Sequence, residues 1–299
     1  MTRMRPALLL ATVALAGSLA AVPPASAAMK VRLAKPKVSV TIPASTAVGT
    51  YFEESQRTST LCRANERALA PGIVDAPRHF VGQSFGPSAV GAWATGAKGT
   101  VKLRLQLLCA RDSNIVHKRK PGKTRPAGSS MTTTAKVSCG GRRVAIGAPL
   151  SQEFSPGFGR FTSKPKGVSG WQVTVEGVPA SFPLESTVPA YADVACVPKS
   201  SLKSVETIDG STGGLQGART AKLRVACKGG RRPVGWGVDL RPFTGSSYSR
   251  ADDGWALPIV RKAAFDGKAV AFQFDLPPGG VVGAADVTQT GYVVCGKLA

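Results

Sequence analysis

His79 and His117 are the only two histidines of the 299-residue chain, so acid–base or nucleophilic chemistry would have to gather around one of them. Gly82-Gln83-Ser84-Phe85-Gly86 fits G-x-S-x-G, the pattern in which a strained strand-to-helix turn lifts a serine above a sheet. In the order serine, acid, histidine, its partners would be Asp112 and His117. Pro87 follows at once and no amphipathic helix comes after it, so the element that gives the pattern its meaning is missing. The adjacent acids Glu53-Glu54 and Asp252-Asp253 make no ready acid/base couple, because neighbours on a strand point to opposite faces. They read as solvated turn acids. Gly122-Lys123-Thr124 looks like the end of a phosphate loop, but the first glycine of that motif would fall on His117. No dinucleotide fingerprint, EF-hand or zinc-protease pattern occurs, and no two cysteines are close enough for a zinc knuckle. The sequence thus implies no cofactor, no metal and no catalytic residue. A secreted hydrolase is the alternative, and a cleft gathering Ser84, His79 and a carboxylate would reveal it.

Binding chemistry is better represented. The run from His117 to Arg125 holds five fixed cations, Lys118, Arg119, Lys120, Lys123 and Arg125, and no acid. They cannot neutralise one another, and Pro121-Gly122 keeps the run from forming one helix, so a solvated basic loop is expected. On an anionic polymer such a loop displaces counterions and binds in a sequence-independent, salt-sensitive way. A linker held extended by its own charge is the bland counterpart. Arg142-Arg143 and Arg231-Arg232 join this anion-binding set if their turns share a side; otherwise each pair caps carbonyls near its own cysteine. No aromatic is interleaved with the run, which removes the usual platform for stacking bases. The whole chain carries 39 Lys and Arg against 17 Asp and Glu, a net charge of +22 that favours anionic partners and says nothing of fold. The expected partner is an anionic polymer or surface: a cell-envelope polymer, an acidic glycan or extracellular nucleic acid. A structural or inhibitory module for a protein partner is the other alternative, with an exposed apolar patch as its mark.

These residues sit in a chain that echoes itself. Lys136 to Pro149 reads K-V-S-C-G-G-R-R-V-A-I-G-A-P, and Lys222 to Gly237 reads K-L-R-V-A-C-K-G-G-R-R-P-V-G-W-G. Both run from alternating residues through a cysteine, glycines and two arginines to small apolar residues. A fainter copy follows Cys62 through Arg67 to Pro71-Gly72. Each segment closes on a second cysteine behind an apolar run, at Cys109, Cys196 and Cys295. Six cysteines allow fifteen pairings; the repeat selects Cys62–Cys109, Cys139–Cys196 and Cys227–Cys295. On the chain-entropy model each bridge contributes about 4 kcal/mol.

The start of the chain explains why disulfides are allowed. Arg3 and Arg5, an apolar stretch from Ala7 to Ala21, and Ala25-Ser26-Ala27 have the form of a cleaved secretory signal, and exported chains live where disulfides persist. A secreted, extracellular protein associated with the cell envelope is expected, with no membrane span once the signal is removed. The Cys-Gly-Arg openings with late cysteines resemble Ala- and Gly-rich secreted proteins of Gram-positive bacteria, a resemblance that names no family and assigns no residue a role.

Period-two alternation dominates the rest. Val38, Val40 and Ile42 form one set, and Leu103, Leu105 and Leu107 another with Lys102, Arg104 and Gln106 on a basic outer side. Val173 and Val175 alternate likewise, as do Val270, Phe272 and Phe274. Trp93, Trp171 and Phe272 precede the closing cysteines in comparable places and read as core aromatics packed on a disulfide. Beyond the signal, only 63–70 holds successive good helix formers, enough for barely two turns before Pro71. With 34 glycines and 22 prolines, cores are light and loops many. The expectation is an all-β protein of three tandem disulfide-closed repeats, each a small sandwich, set about a pseudo-threefold axis. Its divisions are a signal at 1–27, modules at 28–110, 135–198 and 220–299, a basic linker or loop at 111–134 and a linker at 199–219.

Overall fold

The computed structural model describes residues 29–35, 37–42, 56–57, 62–76, 80–87, 90–94, 99–127, 130–148, 160–179, 190–213, 220–241, 258–275 and 288–298. The signal-like segment, Glu53-Glu54, His79 and Asp252-Asp253 lie outside the described residues. Every regular element among those described is a β-strand, so the fold is all-β. Three disulfides join Cys62 to Cys109, Cys139 to Cys196 and Cys227 to Cys295, across 47, 57 and 68 positions. That is the pairing the repeat selects.

Around Cys139 the chain makes two three-stranded layers. One holds Ser130–Ser138, Gly170–Pro179 and Arg160–Pro165 side by side; the other holds Arg143–Ala148, Tyr191–Pro198 and Val116–Pro121. Around Cys227 the same order recurs, as Thr220–Ala226, Ala269–Asp275 and Ile259–Asp266, then Arg232–Leu240, Thr290–Leu298 and Leu202–Ser211. Around Cys62 it is Gln56–Arg57, Val90–Ala94 and Phe80–Phe85, then Arg67–Asp75, Gly99–Ala110 and Val31–Ala34, with Lys37–Ile42 also on Gly99–Ala110.

The register is shared as well. Ala68, Ala145 and Pro233, each six positions after an opening cysteine, lie opposite Cys109, Cys196 and Cys295. This fixed offset places each opening cysteine beside its closing partner. Between the layers lie fully buried aromatics. Trp171 fills the space over Gly147, where any side chain would collide with its ring, and Trp236 meets Phe272 edge-on at 5.9 Å. Burying a side chain of that size is worth about 3 kcal/mol.

Layers also continue from one cysteine-bounded segment into the next. Arg160–Pro165 pairs with Arg232–Leu240, and Ile259–Asp266 pairs with Arg67–Asp75. Gly237 and Gly72 occupy these junctions. A Cβ on Gly237 would run into the Ser163 carbonyl, and one on Gly72 would come within 3.1 Å of the Ala263 carbonyl. The Trp236 indole N–H reaches across to donate to the Pro71 carbonyl at 2.6 Å.

Several local expectations are corrected. The stretch with helix formers is a turn followed by the strand Arg67–Asp75, which passes through Pro71. Paired on both sides and buried from Ala68 to Ile73, it follows its tertiary partners over its propensity. Register shifts on either side of Pro71 accommodate the proline. The segments expected as linkers hold strands: Val116–Pro121 and Lys123–Ala127 in one, Leu202–Ser211 in the other. Gln106, expected on a basic outer side, is buried, and its amide bonds both backbone groups of Phe265.

Candidate anion-binding surface

Each opening cysteine leads into one kind of turn. The N–H of the fourth residue after the cysteine donates to the carbonyl of the first: Glu66 to Arg63 at 2.8 Å, Arg143 to Gly140 at 3.2 Å and Arg231 to Lys228 at 3.3 Å. Gly140, Gly229 and Gly230 have φ of 82°, 62° and 74°, the left-handed region that glycine enters without steric cost. The Cys62 turn closes in the same way without glycine, helped by Glu66, whose carboxylate accepts from the Arg63 N–H at 2.9 Å.

Strand direction places the turns. Arg160–Pro165 runs toward the Cys139 turn, because the loop after it supplies the Ser169 carbonyl to the Cys139 N–H at 2.8 Å. Arg232–Leu240 runs away from the Cys227 turn and is antiparallel to it, so both turns lie at the same end. Ile259–Asp266 likewise runs toward Cys227, whose N–H donates to the Lys268 carbonyl, and lies antiparallel to Arg67–Asp75 as that strand leaves the Cys62 turn. All three cysteine turns therefore share one end of the molecule.

The acids at this end are engaged. Glu66 pairs with Arg32 at 2.6 Å, which holds its carboxyl down at about 2, the Arg32 hydrogen bond outweighing burial. Asp112 accepts from the Ser201 hydroxyl at 2.6 Å and the Asn114 N–H at 2.9 Å, Glu206 pairs with Arg231, and Asp266 pairs with Arg224 at 3.3 Å. The exposed cations Arg142, Lys166, Lys199, Lys228 and Arg232 have no such partner among the described residues. Lys166, Lys199 and Lys228 were not singled out from the sequence, although Lys228 directly follows a cysteine.

The nine cations expected to bind anions divide into two groups. Lys118 donates to the Ser138 carbonyl at 3.0 Å, and Arg119 lies 3.6 Å from Asp193 with its guanidinium 4.1 Å above the Tyr191 ring. Arg143 donates to the carbonyls of Asn114 and Cys196, and Arg231 is paired with Glu206. Arg143 thus does what the capping alternative described. Lys120, Lys123, Arg125, Arg142 and Arg232 are exposed, without an ion pair among the described residues.

The basic run is two edge strands rather than a loop. Val116–Pro121 flanks Tyr191–Pro198, and Lys123–Ala127 flanks Ser130–Ser138. Between them Gly122 lets the chain step from one layer to the other, since a Cβ there would come within 2.7 Å of Thr133. Lysines and prolines on an edge strand also stop other chains from pairing with it.

The hydrolase pattern has no matching geometry. Ser84 lies within the strand Phe80–Phe85, opposite Gly91, with no turn into a helix. Asp112 is committed to its own turn. His117 faces the Cys62 segment, hydrogen-bonded to the Ala68 backbone; burial, with Arg67 nearby, pushes its imidazole down to about 4. On the same sheet face Asp193 is buried, one carboxylate oxygen has no hydrogen-bond partner, and burial raises it to about 6 against the pull of Arg119. Cys62, Cys109 and Glu66 lie close together, but both sulfurs are spent in a disulfide and cannot serve as thiolate ligands.

No family model matches the chain, and no curated protein is similar to it.

Proposed function

We propose that this is an exported, non-enzymatic binding protein that holds an anionic polymer of the cell envelope or its surroundings against the end where the three cysteine turns meet. The segments are taken as three copies of one disulfide-closed unit about a pseudo-threefold axis, which turns one weak basic turn into three. The observation that carries this reading is the imbalance at that end: its described acids are engaged, while Arg142, Lys199, Lys228 and Arg232 are exposed and unmatched. The unpaired Lys120, Lys123 and Arg125 extend the field along one flank. Three disulfides are consistent with an oxidising compartment. Among the described residues only Val116 and Val168 are large exposed apolar side chains, which favours charge over an apolar docking patch.

The test is retention on an immobilised anionic polysaccharide for two variants of equal net charge, Arg142→Glu with Arg232→Glu and Lys35→Glu with Lys222→Glu. The first pair should elute at clearly lower salt. Equal losses would mean that only overall charge matters.

A further inference from the structure

We infer that the polar face of the large sheet is a platform for an acidic polysaccharide, an inference that rests on the polyanion reading above and gives it a chemical class. Seven strands form this sheet, from Leu202–Ser211 at one edge to Lys123–Ala127 at the other. Directly opposed residues of antiparallel strands share a face. From the basic edge inward, Lys123 opposes Thr134, Thr134 opposes Thr174, and Thr174 opposes Thr162. The line continues from Thr162 through Asp239 and Thr290 to Ser211. Every strand thus contributes one hydroxyl or charged side chain to a single row, about 29 Å long over six inter-strand spacings.

Side-chain contacts run along this row. The Thr162 hydroxyl donates to Asp239 at 3.2 Å, and the Ser211 and Thr290 hydroxyls lie 3.1 Å apart. Beside it, nearer the cysteine turns, Lys136 opposes Gln172 and Gln172 opposes Lys164. The Gln172 amide donates to the Thr174 hydroxyl at 3.0 Å. Tyr292 lies on the same face opposite Gly237, and the Lys164 ammonium sits 6.0 Å from its ring centre.

Polar outward faces are ordinary in antiparallel sheets. This one carries hydroxyls on five of its seven strands, at Thr134, Thr174, Thr162, Thr290 and Ser211, with Asp239 between Thr162 and Thr290; Thr162 and Thr174 are buried, and the other three reach solvent. Its buried acid, Asp239, is neutralised by Arg160 at 2.6 Å, while Lys123, Arg125 and Lys136 at the other side of the row have no acid partner among the described residues. A polymer that presents hydroxyls along its length and carboxylates at intervals fits both features: its hydroxyls exchange hydrogen bonds with the solvent-reaching Thr134, Gln172, Thr290 and Ser211, the cations take the carboxylates, and the Tyr292 ring offers an apolar surface to sugar C–H groups. A single-stranded nucleic acid would instead call for several stacking aromatics, and among the described residues Tyr292 is the one aromatic placed on this face.

The experiment is calorimetric titration of the full chain with sodium alginate, a polyuronate, at fixed ionic strength, beside titrations with duplex DNA. Thr134→Val with Gln172→Ala removes hydrogen-bonding groups and keeps every charge. Alginate affinity should fall about tenfold in this variant, while DNA affinity changes by less than about twofold. Lys136→Gln with Lys164→Gln should also weaken alginate by more than it weakens DNA. If the neutral variant binds alginate as the unaltered chain does, or if the chain binds DNA but not alginate, the platform is overturned and the polyanion reading survives. The polyanion reading fails separately if Arg142→Glu with Arg232→Glu leaves binding of both polymers intact.

Discussion

Where Arg160–Pro165 meets Arg232–Leu240, and where Ile259–Asp266 meets Arg67–Asp75, one segment hydrogen-bonds its backbone to the next; where Phe80–Phe85 approaches Arg143–Ala148, no pairing occurs among the described residues. Side chains follow the same division. Both paired junctions carry an Asp–Arg clamp, Asp239 with Arg160 and Asp75 with Arg261. The residue three before the closing cysteine shows the contrast most plainly. Gln106 bonds both backbone groups of a neighbouring strand, whereas its counterpart Asp193 is buried with one oxygen unsatisfied. Where backbone pairing holds two segments, the side chains can be neutral or internally matched. Where it does not, the contact contains groups whose charge depends on pH, Asp193 and His117, with Arg119 and Tyr191 beside the former and Arg67 near the latter.

That comparison is broken most severely at Arg160. Arg160→Ala leaves the buried Asp239 without its bidentate partner and should cost about 3 kcal/mol, read as a lower denaturant midpoint. Gly237→Ala presses a methyl group against the Ser163 carbonyl of the neighbouring strand, which has no flexible end to give way. A loss of about 2 kcal/mol is expected in the same measurement.

The unpaired junction answers to pH. Asp193 stands near 6 in the fold against an ordinary 3.8, so the folded state takes up a proton that the unfolded chain does not, and stability rises as pH falls from 6 toward 4. His117 stands near 4 against an ordinary 6.5, so the unfolded chain takes up the proton first, and stability falls over nearly the same interval. The two contributions oppose each other. Asp193→Asn should expose the histidine and make the protein lose stability on acidification relative to the unaltered chain, by about 2 kcal/mol between pH 6.5 and 4. His117→Gln should shift the difference in the other direction. Parallel pH profiles for all three proteins would show that neither group is coupled to folding. The smallest effect belongs to the other clamp: Asp75 is half exposed, so Arg261→Ala should cost less than about 1 kcal/mol.

Much of the architecture was legible because cysteines and alternation are local signals. The spacing from each opening cysteine anticipates both the bridges and the all-β class. Other features depend on register, which no short stretch encodes. Arg67–Asp75 reads as a helix start until the strands on both sides are known. Val116–Pro121 reads as a linker because an edge strand exposes most of its residues and can carry lysines, as a loop does. Of the paired arginines, nothing in the sequence says that Arg143 spends its guanidinium on the Cys196 carbonyl while Arg142 faces solvent. The polar row is the extreme case, since its members come from seven strands spread between Lys123 and Thr290.

The most direct test of the shared basic end is the salt dependence of binding to duplex DNA, a uniform polyanion, plotted as the logarithm of affinity against that of salt concentration. Arg142→Glu with Arg232→Glu should make the slope shallower by about 2, one unit for each phosphate no longer neutralised, while Lys35→Glu with Lys222→Glu leaves it nearly unchanged. Identical slopes for the two variants would contradict a binding surface at the cysteine turns.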